Sequence, residues 1–375
     1  MPSIQQSIVN MLYFIFFFLL LSFSIPARAQ NDFARVEMPR AWKFPRDHGN
    51  HPAYQTEWWY FTGNLQAENG RRFGYELTFF RQALAPSSTS RHSRWAFRDA
   101  YVAHFAITDI TKERFHYDQQ MMRGALRLAG ADSNSLNVHL GSWFARVENA
   151  MANGENAGGI EIHLGATAKF GRIELKLQSA KPPVLHGERG LLPNSALPGD
   201  AAYYYSFTSL QTTGVLFMAN DSFYVRGVSW KDHEFFTGHP DSEVKGWDWF
   251  SLHLSDSTEV MLFYFHRASG SNSPFSAGTF IYRNGDKQNL NARDFELTPQ
   301  AWWESAASGG KYPIEWKIKF LDYDLQVSTP VKNQELDTRR TTGVIYWEGA
   351  IELKGKKGGK TIRGEGYLEM TGYAK

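Results

Sequence analysis

Short runs of aromatic and β-branched residues, each bounded by Gly, Asn, Asp or Ser, follow one another along most of this chain. Such runs predict strands, whereas hardly any stretch repeats apolar residues at the spacing of an amphipathic helix for three turns. The clearest runs are residues 58–65, 73–81, 101–108, 160–164, 172–177, 203–210, 247–254, 260–267, 343–353 and 364–372. The sequence therefore predicts an all-β protein.

One of these runs has a second copy. Residues 58–65, WWYFTGNL, align without a gap on residues 247–254, WDWFSLHL, and an aromatic run ending in Arg81 or Arg267 follows each copy. The offset of 189 residues is about the length of one barrel domain, so a duplication is the simplest explanation. A chance likeness between two short aromatic strands is the alternative. Duplication predicts two tandem antiparallel barrels in which these two strands are equivalent.

Alternation along the two repeated strands separates a mixed face from an apolar face. The mixed face combines indoles with phenol, hydroxyl, amide and imidazole groups, and its members are Trp58, Tyr60, Thr62, Asn64, Trp247, Trp249, Ser251 and His253. The apolar face consists of Trp59, Phe61, Leu65, Phe250, Leu252 and Leu254. We expect the mixed face to line a barrel interior that holds a ligand, with Trp58, Tyr60, Trp247, Trp249 and His253 as ligand-binding residues. The alternative is that these tryptophans fill the barrel as core.

The N-terminus has the pattern of an export signal. Residues 11–25 are almost entirely apolar and precede Ala27-Arg28-Ala29, which predicts a signal peptide over residues 1–29. The apolar run is shorter than the ~20 residues that a membrane-spanning helix needs, so the mature protein is expected to be soluble. The chain has no cysteine, which suits a bacterial periplasm better than a disulfide-forming eukaryotic secretory route. The predicted location is periplasmic or secreted.

Length and charge limit what the mature chain can do. Without the signal peptide 346 of the 375 residues remain, which is more than one core usually serves, so we predict domains over residues 30–222 and 223–375. Loss of Arg28 leaves 39 Lys and Arg against 38 Asp and Glu. A chain so close to neutral creates no field for nucleic acid or anionic lipid, and we expect a neutral or apolar ligand and no nucleic-acid partner.

Standard catalytic signatures are absent from the sequence, including G-x-S-x-G, G-x-G-x-x-G, the phosphate-binding loop and H-E-x-x-H. Three segments carry candidate chemistry instead. Residues 47–51, DHGNH, with Glu57 could bind a metal, but Pro45 and Pro52 favour a rigid capped loop, so we expect no metal there. His233 lies between Asp232 and Glu234 in WKDHE, an arrangement that suits a general acid or base and also a structural network. The phenols of residues 203–206, YYYS, could bind a ligand, with Tyr205 as the candidate, or only pack.

Several segments together resemble the AttH-type secreted proteins of the carotenoid 1,2-hydratase-like family. They are PRDHGNHPAYQTEWWYFTGNL, GYELTFFRQ, AYVAHFAITD, YYYS, WKDHE, GWDWFSLHL, YWEGA and GYLEMTGY, in this order over residues 42–373. The resemblance implies two lipocalin-like domains. It also implies relatives that act on hydrophobic polyenes without a cofactor, such as hydratases that add water to a terminal isoprenoid double bond, and an association with an ABC transport system.

The hydratases of that family place a catalytic His in D-H-x-W and use Tyr-x-Asp on a following strand. By resemblance His233 after Asp232 matches the first motif, with Phe235 in place of Trp, and Tyr264 matches the Tyr of the second. No Asp follows Tyr264, so Glu234 is the candidate replacement for the missing acid. The candidate catalytic residues are therefore His233, Asp232, Glu234 and Tyr264.

Two functions follow from these observations. The first is a periplasmic lipocalin-like protein that binds a hydrophobic lipid or isoprenoid in or between two barrels and serves an ABC transporter. The second is a cofactor-free hydratase, isomerase or hydrolase that acts on an isoprenoid-like substrate through His233. A purely structural envelope protein would have no use for the mixed strand faces.

Overall fold

The computed structural model describes residues 33–86, 97–150 and 159–374, so the predicted signal peptide over residues 1–29 lies outside the described residues. The described residues form 23 strands in two antiparallel sheets, together with two 3₁₀ turns at Arg46–His48 and Ile110–Lys112. None of the described helical segments is long and apolar enough to cross a bilayer. The prediction of an all-β chain is confirmed.

The first sheet is curled into a barrel and contains thirteen strands. Its hydrogen-bonded path is β4-β3-β2-β1-β13-β12-β9-β8-β7-β6-β5, and β10 and β11 pair with β12. The strands are β1 (Thr56–Ala67), β2 (Arg72–Ala83), β3 (Asp99–Asp109), β4 (Arg114–Arg123), β5 (Ala129–Ala131), β6 (Asn137–Leu140), β7 (Trp143–Ala150), β8 (Ile160–Ala168), β9 (Gly171–Ser179), β10 (Val184–Leu185), β11 (Leu191–Pro193), β12 (Ala201–Met218) and β13 (Asp221–Phe236).

The second sheet is curled in the same way and contains ten strands. Its path is β17-β16-β15-β14-β23-β22-β20-β19-β18, and β21 pairs with β22. The strands are β14 (Val244–Leu254), β15 (Glu259–Arg267), β16 (Ala277–Ile281), β17 (Lys287–Asn291), β18 (Phe295–Glu304), β19 (Lys311–Phe320), β20 (Tyr323–Ser328), β21 (Glu335–Asp337), β22 (Ile345–Lys357) and β23 (Lys360–Thr371).

The two repeated segments lie on equivalent strands, as the duplication predicts. β1 contains residues 58–65 and pairs with the next strand of its sheet, β2, and with the last, β13. β14 contains residues 247–254 and pairs in the same way with β15 and β23. The change of sheet falls between Phe236 and Val244, because β13 completes the first sheet by pairing with β1 and β12. The boundary predicted at residues 222 and 223 would have cut this strand from its partners.

The faces of the repeated strands alternate as expected, but the mixed face does not line a barrel interior. Trp59, Phe61 and Leu65 lie in the core of the first sheet, and Phe250, Leu252 and Leu254 lie in the core of the second. Tyr60 and Trp249 belong instead to a third cluster, between the sheets, against which Trp58 and Trp247 pack. The barrel cores that these strands face are mainly apolar, and the polar groups of the mixed faces meet where one sheet packs on the other.

Candidate active site

A cavity of about 270 Å³ lies between the two sheets. Its apolar walls come from both copies of the repeat and their neighbours: Trp58, Tyr60, Phe80, Leu192, Phe236, Pro240, Trp247, Trp249, Phe263 and Phe265. The Tyr60 and Trp249 rings meet edge to face with centroids 5.2 Å apart, which is a favoured aromatic geometry. The cavity therefore offers a mostly apolar surface of the kind that binds small organic molecules.

Five carboxyl groups line this same cavity, namely Glu76, Asp232, Glu234, Glu348 and Glu369. Burial raises the pKa of Asp232 to about 6, that of Glu76 to about 7 and that of Glu369 to about 8. Burial and negative neighbours hold the pKa values of Glu234 and Glu348 well above the usual range for Glu. Several of these groups therefore carry a proton near neutral pH and can act as acids inside an apolar pocket.

Asp232 is the most strongly hydrogen-bonded of the five carboxyls. Its Oδ2 accepts a hydrogen bond of 2.7 Å from the Tyr204 hydroxyl, and its Oδ1 accepts from Trp230 Nε1 at 2.6 Å and from the Ser206 hydroxyl. These donors favour the ionised carboxylate and offset part of the effect of burial, which still raises the pKa of Asp232 to about 6. Behind Ser206, His186 Nε2 lies 2.6 Å from the hydroxyl oxygen and holds it in place.

Two other carboxyls leave an oxygen without a partner. Glu348 Oε1 accepts from the Tyr60 hydroxyl at 2.7 Å, and Glu76 Oε1 accepts from Thr78 Oγ1 at 2.9 Å. Glu348 Oε2 and Glu76 Oε2 are buried and have no hydrogen-bond partner in the described chain. A buried polar atom without a partner is costly, which is tolerated mainly where a ligand or a reaction uses it.

Strand register relates the two walls of the cavity. Tyr60 pairs with Asp232 across β1 and β13, and its counterpart Trp249 pairs with Glu369 across β14 and β23, so the two acids are equivalent. Two residues further along β13, Glu234 pairs with Tyr204 of β12. Two residues further along β23, Thr371 pairs with Tyr346 of β22. The two walls therefore have matching strand registers, but the position that Glu234 occupies in the first wall is occupied by Thr371 in the second.

The counterpart of Glu76 is also different in the second wall. Glu76 pairs with Thr62 across β2 and β1, while Met261 pairs with Ser251 across β15 and β14. Because Thr62 and Ser251 are aligned in the repeat, Met261 occupies the position of Glu76. The acidic groups are therefore distributed unevenly around a pocket built on a repeated plan.

His233 lies on the other face of β13, away from this cavity, because alternation turns it opposite to Asp232 and Glu234. Its Nε2 is 2.8 Å from Glu57 Oε1, and its Nδ1 is 3.1 Å from the Tyr205 hydroxyl. Burial lowers the pKa of His233 to about 3, so the imidazole is neutral. The carboxylate that contacts His233 belongs to Glu57 on β1 and not to Asp232 or Glu234.

Residues 47–51 lie in the segment that precedes β1, where Arg46–His48 forms a 3₁₀ turn without a side-chain cap. His51 Nδ1 lies 2.8 Å from Glu57 Oε1, and Arg81 Nε donates to Glu57 Oε2 at 3.0 Å. His51, Glu57 and His233 could place one ligand atom each within 4.8 Å of one another, as a metal would require. Their mutual hydrogen bonds and the Arg81 guanidinium already satisfy the carboxylate, so the geometry fits a structural network better than a metal centre.

The remaining sequence-predicted residues divide between the cavity and its surroundings. Trp58, Tyr60, Trp247 and Trp249 line the cavity with Asp232 and Glu234. Tyr205 does not, because its hydroxyl contacts His48 Nδ1 at 2.8 Å and accepts from Lys231 Nζ at 2.9 Å in the barrel network. His253 faces the first sheet with Nε2 2.7 Å from the Thr208 carbonyl, and Tyr264 packs against Phe295 in the second core.

Sequence reasoning missed Glu76, Glu348, Glu369, Tyr204 and Tyr346. Tyr346 adds a further link, because its hydroxyl lies 2.7 Å from the buried His104 Nδ1 and donates to Glu76 Oε1 at 3.3 Å. The sequence does indicate the three glutamates, because each is a single acidic residue inside an apolar strand: GYELTFF, YWEGA and GYLEMT. Charged residues are rarely buried unless they are paired or functional, so each was a candidate.

The fold defines a class: lipocalin-like proteins of two tandem barrels. A profile of the AttH-like family matches residues 35–373, and the chain belongs to this family. An AttH protein of Nitrosomonas europaea has a crystal structure with 27% sequence identity and a TM-score of 0.81, covering 92% of this chain and 100% of its own.

Two more distant structures share the fold alone. Kievitone hydratase of Nectria haematococca is 15% identical with a TM-score of 0.67, over 91% of this chain and 96% of its own. CghA in complex with Sch210972 is 12% identical with a TM-score of 0.51, over 92% of this chain and 97% of its own. No curated protein matches the sequence.

Proposed function

We propose that this protein is a cofactor-free acid–base enzyme that adds water to, removes water from, or isomerises a mostly apolar small molecule held between the two sheets. The observation that carries the proposal is the convergence of five carboxyl groups in one aromatic pocket. Enclosing them costs free energy that a carrier of apolar molecules would have no reason to sustain. Titratable groups with strongly shifted pKa values concentrate at catalytic sites.

The chemistry needs one acid and one base. A protonated carboxyl such as Glu234 donates its proton to an olefinic carbon, and water attacks the resulting cation. A neighbouring carboxylate then takes the proton of the added water, so that one water molecule is consumed for each double bond. Asp232 is suited to the second role, because three hydrogen-bond donors favour its ionised form. The indole faces of the pocket stabilise positive charge during the reaction.

Hydration is the first reaction to test, since a kievitone hydratase shares the fold. The mature chain is incubated with a panel of isoprenoid alkenes in ¹⁸O-labelled water, and mass spectrometry reads the gain of one labelled water. We expect turnover that Glu234→Gln and Asp232→Asn each reduce by about 100-fold or more. Glu296→Gln, which changes an exposed carboxylate of β18, is the matched control and leaves turnover unchanged.

Binding without chemistry is the second candidate, and the aromatic walls favour it. An organic extract of protein purified from its own cells separates the two. A molecule that is released unchanged by both wild type and Glu234→Gln, with no turnover in the panel, would establish carriage. A hydrated or isomerised molecule from the wild type and its precursor from the variant would establish catalysis.

We also propose, from the sequence alone, that the protein acts in the periplasm or outside the cell, beside an ABC transport system. N-terminal sequencing of protein from the periplasmic fraction is expected to begin at Gln30. A start before residue 25 would contradict export by signal cleavage. Crosslinking in intact cells followed by mass spectrometry tests the second part, which fails if no transporter component is recovered above an untagged control.

A further inference from the structure

We propose that the ligand of the pocket between the sheets carries an organic cation, a protonated or quaternary amine, joined to an apolar group. This inference rests on the proposed function, because it names the class of molecule that occupies the same pocket. It also reverses the expectation of a neutral ligand that the balanced overall charge suggested. The local charge of the cavity, rather than the net charge of the chain, decides which ligand is complementary.

The walls of the pocket have the composition of an aromatic cage. Trp58, Trp247 and Trp249 line it, and the Trp249 ring stands at 80° to the ring of Tyr60, which also lines it. Rings set nearly at right angles form corners in which one group can touch more than one aromatic ring. Such faces attract alkylammonium groups through the negative potential above the ring, and the attraction is greatest where water is excluded.

The carboxyl groups supply acceptors that no protein donor uses. Glu76 Oε2 and Glu348 Oε2 are buried without a partner, in residues whose exposure is 1% and 0%. The positive charge of an organic cation is complementary to these oxygens, and a protonated amine also brings N–H donors to them.

No positively charged side chain of the described chain competes for this role, because Lys, Arg and His are absent from the described lining. Lys231 points to the opposite face of β13, where it donates to Tyr205. The nearest imidazoles, His104 and His186, stand behind Tyr346 and Ser206, and burial keeps both neutral by lowering their pKa values well below the usual range. The titratable groups that face the cavity are Glu76, Asp232, Glu234, Glu348, Glu369, Tyr60, Tyr204 and Tyr346.

A cation bound here competes with protons. In the empty pocket the carboxyls hold protons because burial raises their pKa values, with values of about 6 to about 8 for three of them. A positive charge stabilises the ionised forms of Glu76 and Glu348, whose unpartnered oxygens line the pocket, so binding releases protons from them while Glu234 keeps the proton that the proposed reaction uses. Affinity for a cation then rises with pH across this range, by up to about tenfold per pH unit for each proton released. A neutral ligand of the same shape has no such dependence.

Two compounds of matched shape test the proposal: phenyltrimethylammonium and its uncharged isostere tert-butylbenzene. Each is titrated into the mature chain at pH 5.5, 7 and 8.5 with tryptophan fluorescence as the readout, and calorimetry in two buffers of different ionisation enthalpy counts the protons released. We expect the cation to bind at least about tenfold more tightly than the isostere at pH 8.5, with proton release near pH 7.

The carboxyl variants separate charge from shape. Glu76→Gln and Glu348→Gln keep the size of the side chain and are expected to weaken cation binding by about tenfold or more, while isostere binding stays the same. Glu296→Gln on the exposed face of β18 is the control and changes neither. If Glu348→Gln fails to fold, the comparison of the two compounds on the wild-type chain and its pH dependence decide the question.

The outcomes also distinguish this inference from the proposed function. Equal binding of the two compounds without proton release overturns the cation proposal and leaves a pocket for apolar substrates intact. Binding of neither compound by folded protein overturns both. Tighter binding of the cation that is unchanged in Glu76→Gln and Glu348→Gln also overturns the inference, because the charge would then be bound elsewhere.

Discussion

Replacing Glu57 by Gln tests whether the network at the end of the first barrel is a structural element. The Glu57 carboxylate accepts hydrogen bonds from His51 Nδ1, His233 Nε2 and Arg81 Nε at 2.8 to 3.0 Å, and from the His51 backbone N–H. The amide of Gln keeps one acceptor oxygen. Its NH₂ group, which is itself a donor, replaces the second acceptor and then faces donors with which it cannot form hydrogen bonds. The substitution also leaves the fully buried Arg81 guanidinium with Asp99 as its remaining ion-pair partner.

Removing one partner of a buried ion pair typically costs about 3–5 kcal/mol. Because Asp99 stays 2.9 Å from Arg81 Nη1, we expect the lower end, about 3 kcal/mol of the free energy of unfolding. Guanidinium denaturation at pH 7 measures it, with Glu296→Gln as a surface control. A double-mutant cycle with Arg81→Met should recover part of the loss. A change below about 1 kcal/mol would show that the ion pair contributes little, and the reasoning would be refuted.

The same residue predicts a pH dependence at the acid end. Burial alone would raise the pKa of Glu57, but hydrogen bonds from His233 and His51 and the charge of Arg81 hold it well below the usual range. Its contribution is therefore fully present above the unfolded pKa near 4.5 and is lost as pH falls through the lower folded value. Denaturation between pH 6 and 3 should show a smaller acid-induced loss in Glu57→Gln than in the wild type.

Three further outcomes are expected. The wild-type chain should gain stability as pH falls from about 8 to about 5, because burial raises the pKa of Glu369 to about 8 and its protonated form fits the folded pocket better; Glu369→Gln should flatten this gain in denaturation midpoints. His233→Ala should lower the free energy of unfolding in guanidinium by about 2–3 kcal/mol and leave tert-butylbenzene binding unchanged. Loss of that binding would show that His233 contributes to the pocket. Gly227→Ala should lower the melting temperature strongly, since its Cβ would lie 1.9 Å from the Asn64 carbonyl oxygen on the paired strand; an unchanged melting temperature would mean that β1 and β13 separate without cost.

Alternation along strands was enough to predict which residues share a face, but not which face is inside. Trp59 and Trp58 are both indoles, and only the closure of each sheet shows that Trp59 enters a barrel core while Trp58 meets the other sheet. The repeat predicted equivalent strands correctly because it spans eight aligned positions, each fixed to one face by the period of two.

The catalytic candidates were harder to find from the sequence for a geometric reason. Asp232, His233 and Glu234 are consecutive, so they look like one site, yet alternation sends the imidazole to one side of β13 and both carboxyls to the other. Glu348 and Glu369 meet because they pair across β22 and β23, which only the strand register reveals. Contacts between residues of different sheets produce no periodic pattern in the sequence of either strand.

The repeated plan of the two walls has a consequence for how a bound molecule is oriented. A pocket with two identical halves would accept a ligand in either direction and give a mixture of products. Here Glu234 has Thr371 as its counterpart and Glu76 has Met261, so the first wall carries Glu76, Asp232 and Glu234 while the second carries Glu348 and Glu369, and the two walls differ in where they can deliver a proton. Joining both barrels in one chain allowed these positions to diverge separately, and the divergence gives the cavity a direction.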